Sequence, residues 1–247
     1  MPTDPRHGTR FAVYLCPPAE SEYYRLGSEV LGYDVRAGKE LPLPADVRPE
    51  WQTASGPYGF HLTLLEGFWC APETLPEIEA ELRACVACLS PTTDLSLHNG
   101  TMVRATTHGD RGIGQIFNPS PDLLMFHAFL LARLARFVTH SPFFDRLVAN
   151  TDRYPEAYQK ARLALLNTPR GLDTYEPHYT LVDPFGGSEE EGEALRQRLK
   201  ILMAPWAEQT YNSVALFVKP EGELRWQVRA DVTVSGLNTA APVAAPV

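Results

Sequence analysis

Apolar residues alternate along some segments of the chain and recur every three or four residues along others, which predicts strands interleaved with helices. Gly32 ends the first helical segment, and Ser120 followed by Pro121 is typical of a helix start. The pattern predicts strands at 11–15, 60–68, 94–98, 103–106, 113–118, 213–219 and 224–234, and helices at 20–31, 72–89, 120–139, 155–166 and 189–206.

The two ends of the chain differ from the rest in composition. Residues 1–9 and 238–247 lack Phe, Trp and Tyr and are rich in Pro or Ala. We therefore expect a disordered N-terminal arm at 1–9 and a flexible Ala/Pro-rich tail at 238–247. No Gly- or Ser-rich linker interrupts residues 10–237, which indicates a single domain.

A short pattern occurs twice in the chain. The string H-x-T-L-x-x-x-F begins at His61 and again at His178, a constant shift of 117 residues. The helical segment and the pair of strands that follow the first copy also match those after the second, which favours an internal duplication. We predict an α+β fold with two antiparallel-sheet lobes and outer helices, facing each other across a central cleft. The lobes are expected around 58–120 and 175–236.

Each copy of the pattern places a histidine and a threonine on the same face of a strand, because residues i and i+2 point the same way. One such pair is typical of a core histidine bonded to a carbonyl, whereas two equivalent pairs indicate a shared cleft. A neutral imidazole accepts a proton and a charged one donates it, while hydroxyls bond to oxygens on phosphorus. This chemistry suits phosphodiester cleavage by His61, Thr63, His178 and Thr180.

Charge and composition limit the classes of molecule that the protein is expected to bind. Lys and Arg total 22 against 30 for Asp and Glu, a formal charge of −8, which disfavours a basic face for long nucleic acid. No apolar run reaches the ~20 residues of a membrane span, and the N-terminus lacks the apolar core of a signal peptide. The 4 cysteines are too unevenly placed for a disulfide framework. We expect a cytoplasmic monomer that binds a small phosphodiester or nucleotide.

Three further side chains are candidates for substrate contacts. Tyr14 is expected to line the cleft, and Lys219 and Arg225, which flank the last hairpin, could bring positive charge to a phosphate. The alternative for these side chains is an ordinary structural or solvated position. Cys85-x-x-Cys88 lies late in an amphipathic helix without a second such pair, which favours a structural role over a zinc site.

The paired motifs resemble those of the two-histidine (2H) phosphoesterase superfamily, which includes RNA ligase-like and cyclic phosphodiesterase members. Residues 10–14, 17–18, 31–34 and 58–64, together with Gly38, are similar to the branch found in bacterial phosphonate-utilisation gene clusters. The resemblance implies a bilobal α+β fold, no cofactor and no obligatory metal. It also implies that the catalytic residues are His61, Thr63, His178 and Thr180.

These observations leave three hypotheses. The first is a metal-independent phosphoesterase that cleaves a small cyclic or linear phosphodiester, such as a 2′,3′-cyclic phosphate or a cyclic phosphate from phosphonate breakdown. The second is a ligase-like transesterase that joins or cuts 2′,5′ linkages in RNA, although the acidic balance makes long RNA less attractive. The third is a nucleotide- or phosphate-binding module without turnover. Two intact motifs favour the first over the third, because a binder needs no opposed proton donor and acceptor.

Overall fold

The computed structural model describes residues 8–104 and 112–234. The predicted tail at 238–247 and most of the predicted arm lie outside the described residues. Thr9, however, belongs to the first strand and is only 6% exposed. The predicted arm at 1–9 therefore includes one residue of the sheet.

Strands and helices follow one another along the described residues in the order that the hydrophobic pattern predicts, apart from the differences considered below. The strands are β1 (Thr9–Leu15), β2 (Tyr33–Asp34), β3 (Lys39–Glu40), β4 (Leu62–Cys70), β5 (Ser96–Arg104), β6 (Ile113–Pro119), β7 (His178–Val182), β8 (Gln209–Thr210), β9 (Ser213–Lys219) and β10 (Gln227–Thr233). The helices are α1 (Glu22–Leu31), α2 (Leu75–Ala87), α3 (Pro121–Leu134), α4 (Pro142–Ala149), α5 (Ala157–Leu166) and α6 (Glu189–Met203).

Within the described residues, an 8-stranded antiparallel sheet has the order β10-β9-β1-β4-β7-β6-β5-β8, and β2 and β3 form a small separate hairpin. The strands that carry the two motifs, β4 and β7, are neighbours at the centre of the large sheet. Helices pack against it, with α6 on β5 and α3 on β4. This arrangement confirms the predicted α+β class.

The two halves of the large sheet are not built from contiguous segments of the chain. One half contains β10, β9, β1 and β4, and the other contains β7, β6, β5 and β8. The strand β6, which follows the first motif, pairs with β7, whereas β9, which follows the second motif, pairs with β1. The predicted lobes at 58–120 and 175–236 therefore exchange strands. The physical reason is that β1 already occupies the position beside β4.

Both motifs are followed by a helix and then by two longer strands, with the 2-residue strand β8 between α6 and β9 after the second motif. In the sheet, β5 and β9 hold corresponding positions, each two strands outward from its motif strand. Their hairpin partners differ, because β6 lies inside β5, next to β7, whereas β10 lies outside β9, at the sheet edge. The similarity of the two segments thus includes the motif strand, the helix and one strand, and does not extend to the position of the last strand.

Capping residues explain where the helices begin and end. Ser120 accepts a hydrogen bond from the backbone N–H of Leu123, and Pro121 opens α3, as predicted. Gly32 adopts a left-handed φ of 72° and ends α1, also as predicted. α3 stops at Leu134, before the predicted end at 139.

The pattern does not predict the short strands β2, β3 and β8, of 2 residues each, and two longer elements also differ from the predictions. The periodicity does not reveal α4, because its 8 residues are too few to show a helical repeat, although Ser141 and Pro142 provide a cap and a first-turn proline. β5 is one strand where two short strands are expected. Asn99, with a φ of 57°, introduces an irregularity that the strand continues through.

The face of β4 and β7 opposite the motif side chains is apolar, as the alternation predicts. Leu62 and Tyr179 are fully buried there. Phe60 stacks on Tyr179 with ring centroids 4.4 Å apart, and Tyr23 packs edge-on against both rings. This aromatic layer fixes the two central strands relative to each other.

Candidate active site

The antiparallel pairing of β4 and β7 brings the two motifs together. Leu62 is paired with Tyr179, and both are buried, so the residues on either side of them point to the opposite, partly exposed face. Continuing the antiparallel register by one residue in each direction puts the predicted catalytic residues into two opposed pairs: His61 with Thr180, and Thr63 with His178.

The backbone holds both imidazoles in the same way. Nδ1 of His61 lies 2.8 Å from the carbonyl oxygen of Gly59, and Nδ1 of His178 lies 2.8 Å from that of Glu176. A carbonyl oxygen only accepts hydrogen bonds, so each Nδ1 carries a hydrogen and donates it. In the neutral ring, Nε2 is then the nitrogen that is free to accept a proton. The carbonyl two residues before each histidine thus sets the same tautomer twice.

Gly59 is required for the first of these hydrogen bonds. Its φ of 71° lies in the region that favours glycine. A Cβ at this position would lie 2.5 Å from the Cβ of Val35. The glycine therefore allows the chain to turn into β4 with its carbonyl directed at His61.

Aromatic rings cover the His61 imidazole. Tyr14 stacks on it with centroids 4.0 Å apart, and Tyr58 does so at 5.6 Å. Tyr58 is itself stacked on Trp226 at 5.2 Å, and the N–H of Trp226 donates to the carbonyl of Pro57. The turn between β9 and β10 is therefore tied to the segment that leads into the first motif.

This cover determines the charge of His61. Loss of solvent lowers its pKa to about 4, against the opposing effect of the hydrogen bond to Gly59, and a positive charge on His178 lowers it further. His61 is consequently neutral at neutral pH. The register of β4 and β7 puts the two imidazoles on the same face of neighbouring strands, which explains this electrostatic influence.

The surroundings of His178 are more polar. His178 and Thr63 line a cavity of about 420 Å³, whose lining does not include His61 or Thr180. Among the described residues, no aromatic ring stacks on His178. One wall is formed by Tyr175, whose hydroxyl donates to the carbonyl of Thr63 at 2.8 Å. This hydrogen bond connects the approach to the second motif with the strand of the first.

His127 lies behind Tyr175, and the two rings stack at 3.9 Å. The His127 ring is 5% exposed and its Nδ1 donates to the carbonyl of Leu64 at 2.6 Å. Burial lowers its pKa, which the nearby Glu66 carboxylate opposes. His127 is thus a bonded core histidine, although its ring also lines the cavity.

The three predicted substrate-binding residues do not line the cavity that contains His178. Tyr14 is 2% exposed and supports His61 from beneath. Its ring therefore contributes to the site through His61, and a direct contact of Tyr14 with substrate stays a prediction.

Lys219 and Arg225 do not line the cavity that contains His178. Lys219 lies opposite Arg10 on the neighbouring strand β1. Burial and the positive charge of Arg10 both lower the pKa of Lys219. The pairing places Lys219 about 13 Å along the strand from the level of Tyr14. Contact of Lys219 with substrate stays a prediction.

Arg225 is engaged on another side of the molecule. Its guanidinium forms an ion pair with Glu40 and lies 4.4 Å from the ring centroid of Tyr33. Its neighbour Trp226 reaches the site through Tyr58, whereas contact of Arg225 with substrate stays a prediction.

Sequence reasoning missed residues on both sides of the site. The aromatic residue three positions before His61 is a signal that could have identified Tyr58 as a cover. The arginines at the far end of the cavity have no such sequence signal. They lie on α4, in the turn after it and in the segment after α5, which reach the cavity only through tertiary packing. The basic residues that line the cavity are Arg146, Arg153 and Arg170.

No set of three or more His, Cys, Asp or Glu side chains is arranged to hold a metal ion within residues 8–104 and 112–234. Cys85 is buried, Cys88 is exposed, and both are free thiols. No helix in the described part of the chain is long and apolar enough to cross a membrane.

Comparison with known proteins gives weak structural similarities. No protein-family model and no curated protein matches the sequence. The structure is similar to a crystal structure of E. coli LigT complexed with NADP+, with a TM-score of 0.45 and 11% identity, covering 92% of this chain and 98% of that chain. A crystal structure of a phosphoesterase gives a TM-score of 0.43 at 12% identity, covering 92% and 98%.

Kluyveromyces marxianus Usb1 with uridine monophosphate gives a TM-score of 0.34 at 11% identity, covering 92% of this chain and 97% of that chain. At these scores and identities, the similarity does not assign an activity to this chain. The predicted relation to the phosphonate-cluster branch stays a prediction.

Proposed function

We propose that the protein is a metal-independent phosphoesterase that cleaves a small cyclic or linear phosphodiester by two-histidine acid–base catalysis. The observation that carries this proposal is the paired arrangement on β4 and β7. Two imidazoles in electrostatic reach of each other donate Nδ1–H to the backbone, which leaves both Nε2 atoms for proton transfer. The preferred substrates are of the 2′,3′-cyclic phosphate type or a phosphonate-derived cyclic phosphate.

The contrast between the two histidines supports a division of roles. His61 is desolvated and neutral at neutral pH, which suits a general base. His178 lines the open cavity, where water and polar groups can solvate a charged imidazolium, which suits a general acid. In this assignment, His61 Nε2 removes a proton from the attacking water as its oxygen bonds to phosphorus. His178 Nε2 then donates a proton to the leaving oxygen as its bond to phosphorus breaks.

The two threonines suit stabilisation of the charge on phosphorus. Thr63 and Thr180 lie diagonally across the two motif strands, each opposite a histidine. Their hydroxyls can donate to the nonbridging oxygens, on which negative charge gathers in the transition state. The diagonal arrangement would place one donor on each side of the phosphoryl group.

The test is turnover of a panel of nucleoside 2′,3′-cyclic phosphates, followed by separation of the products on an ion-exchange column. We expect conversion to nucleoside monophosphates by the wild-type protein and large losses in His61→Ala and His178→Ala variants. Binding of the cyclic phosphates without turnover would favour a binding module. Turnover that requires a second RNA end, with formation of a 2′,5′ linkage, would favour the ligase-like alternative.

A further inference from the structure

The cavity next to His178 continues well beyond the motif residues. Thr63 and His178 are at one end, and α4, α5 and the segments after each of them line the other. Its volume of about 420 Å³ falls in the usual range for small-molecule sites. The far end is therefore part of the same space that a substrate at His178 would occupy.

Three guanidinium groups converge on this far end. Arg146 lies on α4, Arg153 in the turn after it, and Arg170 in the segment after α5. The buried hydroxyl of Tyr154 reports their proximity, since all three arginines act to lower its pKa, against the larger effect of burial. The positive charges are thus gathered around one point.

Two of these arginines are unusual in this chain. Within residues 8–104 and 112–234, the only arginines that form no ion pair with a carboxylate are Arg10, Arg146 and Arg153. Arg10 lies between Trp69 and Trp226, and Arg146 lies 5.1 Å from the ring centroid of Phe143. Two of the three exceptions therefore line this cavity. The paired arginines are Arg25, Arg36, Arg48, Arg83, Arg104, Arg133, Arg136, Arg162, Arg170, Arg196, Arg198, Arg225 and Arg229.

The acidic groups at the cavity do not cancel this charge. Glu66 lies 3.6 Å from Arg170 and pairs with it. Glu176 is exposed and belongs to the end of the cavity next to His178. The guanidinium N–H donors of Arg146 and Arg153 therefore have no carboxylate partner among the described residues. They suit a phosphate group, because a guanidinium binds phosphate oxygens through paired N–H donors.

A buried polar atom without a partner points to a ligand in the same cavity. Nε2 of His127 is buried and has no hydrogen-bond partner among the described residues, while its Nδ1 is bonded to the backbone. Such atoms are rare in folded proteins because an unpaired buried polar group is costly. The His127 ring lines the cavity that contains the arginines. Because Nδ1 carries the hydrogen of the neutral ring, Nε2 accepts, and the hydroxyl hydrogen of a singly protonated phosphate would provide the missing partner.

We infer that this cavity, through Arg146, Arg153 and His127, binds a second phosphate group, a monoester carried by the same substrate whose phosphodiester lies at His178. The inference rests on the proposed function for the identity of the first group. It defines the substrate class more narrowly, as a small phosphodiester that also bears a terminal phosphate monoester.

Binding to the wild-type protein tests this without any turnover. Adenosine 3′,5′-bisphosphate and adenosine 3′-monophosphate differ only in the second phosphate, and isothermal titration calorimetry compares their Kd values. We expect the bisphosphate to bind at least ~10-fold more tightly, as for a charge-assisted contact. The Arg146→Gln/Arg153→Gln double variant should reduce the ratio to about one. The matched control, Arg25→Gln/Arg83→Gln, removes two surface arginines of other helices and should keep the wild-type ratio.

A parallel kinetic comparison separates this inference from the proposed function. Nucleoside 2′,3′-cyclic phosphates with and without a 5′-phosphate should differ in kcat/KM by a similar factor, and that factor should disappear in the cavity double variant. Equal Kd values for the two adenosine nucleotides, or a preference that survives the double variant, would overturn the second phosphate site. An arginine-dependent preference for the bisphosphate without cleavage of any phosphodiester would leave this site standing and overturn the phosphoesterase proposal.

Discussion

The histidine that precedes β4 and the histidine that begins β7 share a backbone arrangement and differ in what surrounds them. Each imidazole donates Nδ1–H to the carbonyl two residues earlier. Around His61, however, rings from β1 and from the preceding turn stack on the imidazole and shield it from solvent, whereas His178 opens onto a polar cavity. The comparison teaches that the motif fixes the orientation of the ring. Elements outside the motif decide how far that ring is shielded from solvent.

The largest expected effect comes from removing either histidine. His61→Ala and His178→Ala should each lower kcat/KM by about 10²–10⁴-fold, the usual contribution of a general acid or base. A nitrophenyl phosphodiester, whose leaving group needs no protonation, should partly restore only the His178→Ala variant. Steady-state kinetics on both substrates provides the measurement. Equal rescue of both variants would contradict the division of roles, and near-native turnover by both would contradict the two-histidine mechanism.

The threonines should have a smaller effect. Thr63→Ala and Thr180→Ala each remove one donor to phosphorus, a loss that reaches about 10²–10³-fold in comparable sites. The decrease should appear in kcat, because the interaction strengthens in the transition state. Thr63→Ser and Thr180→Ser keep the hydroxyl and serve as matched controls. If serine and alanine variants were equally impaired, the threonine methyl rather than the hydroxyl would be the important group.

The pH profile should report the aromatic cover of His61. A general base must be unprotonated, so kcat/KM falls as the pH drops through the pKa of His61, which is about 4. Tyr58→Ala admits water and should raise that pKa towards the ordinary value of ~6.5. The acid limb then moves to higher pH, and activity at pH 5 decreases relative to activity at pH 8.

The matched control for this shift is Tyr158→Ala, which removes a half-exposed tyrosine from α5. It should leave the acid limb in place. Because the two imidazoles interact, the limb is a property of the pair, and the comparison is between variants rather than with an absolute value. An unchanged limb in Tyr58→Ala would show that the desolvation of His61 has another source.

Chelation should have no effect. A metal bound between the motifs would take both imidazoles as ligands, and the two histidines would then no longer have different roles. Two imidazoles are also too few for a catalytic zinc site, which generally uses three protein ligands. We expect kcat/KM to be unchanged after prolonged dialysis against a chelator. Loss of activity that added zinc or manganese restores would replace the acid–base proposal with a metallohydrolase.

Much of the site could be predicted from the sequence because its signal is local. The spacing of His61 and Thr63 fixes their common face, and the same holds for the second motif. Likewise, Ser120 and Pro121 identify the start of α3. These features depend on neighbouring residues and on the two-residue period of a strand.

The remaining features depend on contacts between distant segments. Nothing near His178 in the sequence predicts that Arg146 and Arg153 line the same cavity. Trp226 covers the first motif although it is far along the chain from it, so its role cannot be seen in a local pattern. The position of β6 beside β7 could not be predicted either, because it depends on β1 occupying the place next to β4.

The exchange of strands between the two halves of the sheet has a consequence for synthesis on the ribosome. The half that contains β1 and β4 is completed by β9 and β10, which emerge after all the other described elements. The segment that contains β1 therefore waits, with one edge of β1 unpaired, until β9 has emerged. Such long-range pairing is slow and leaves a nascent chain open to aggregation. Chaperone dependence in the cell is accordingly expected to be greater for this protein than for a fold assembled from contiguous lobes.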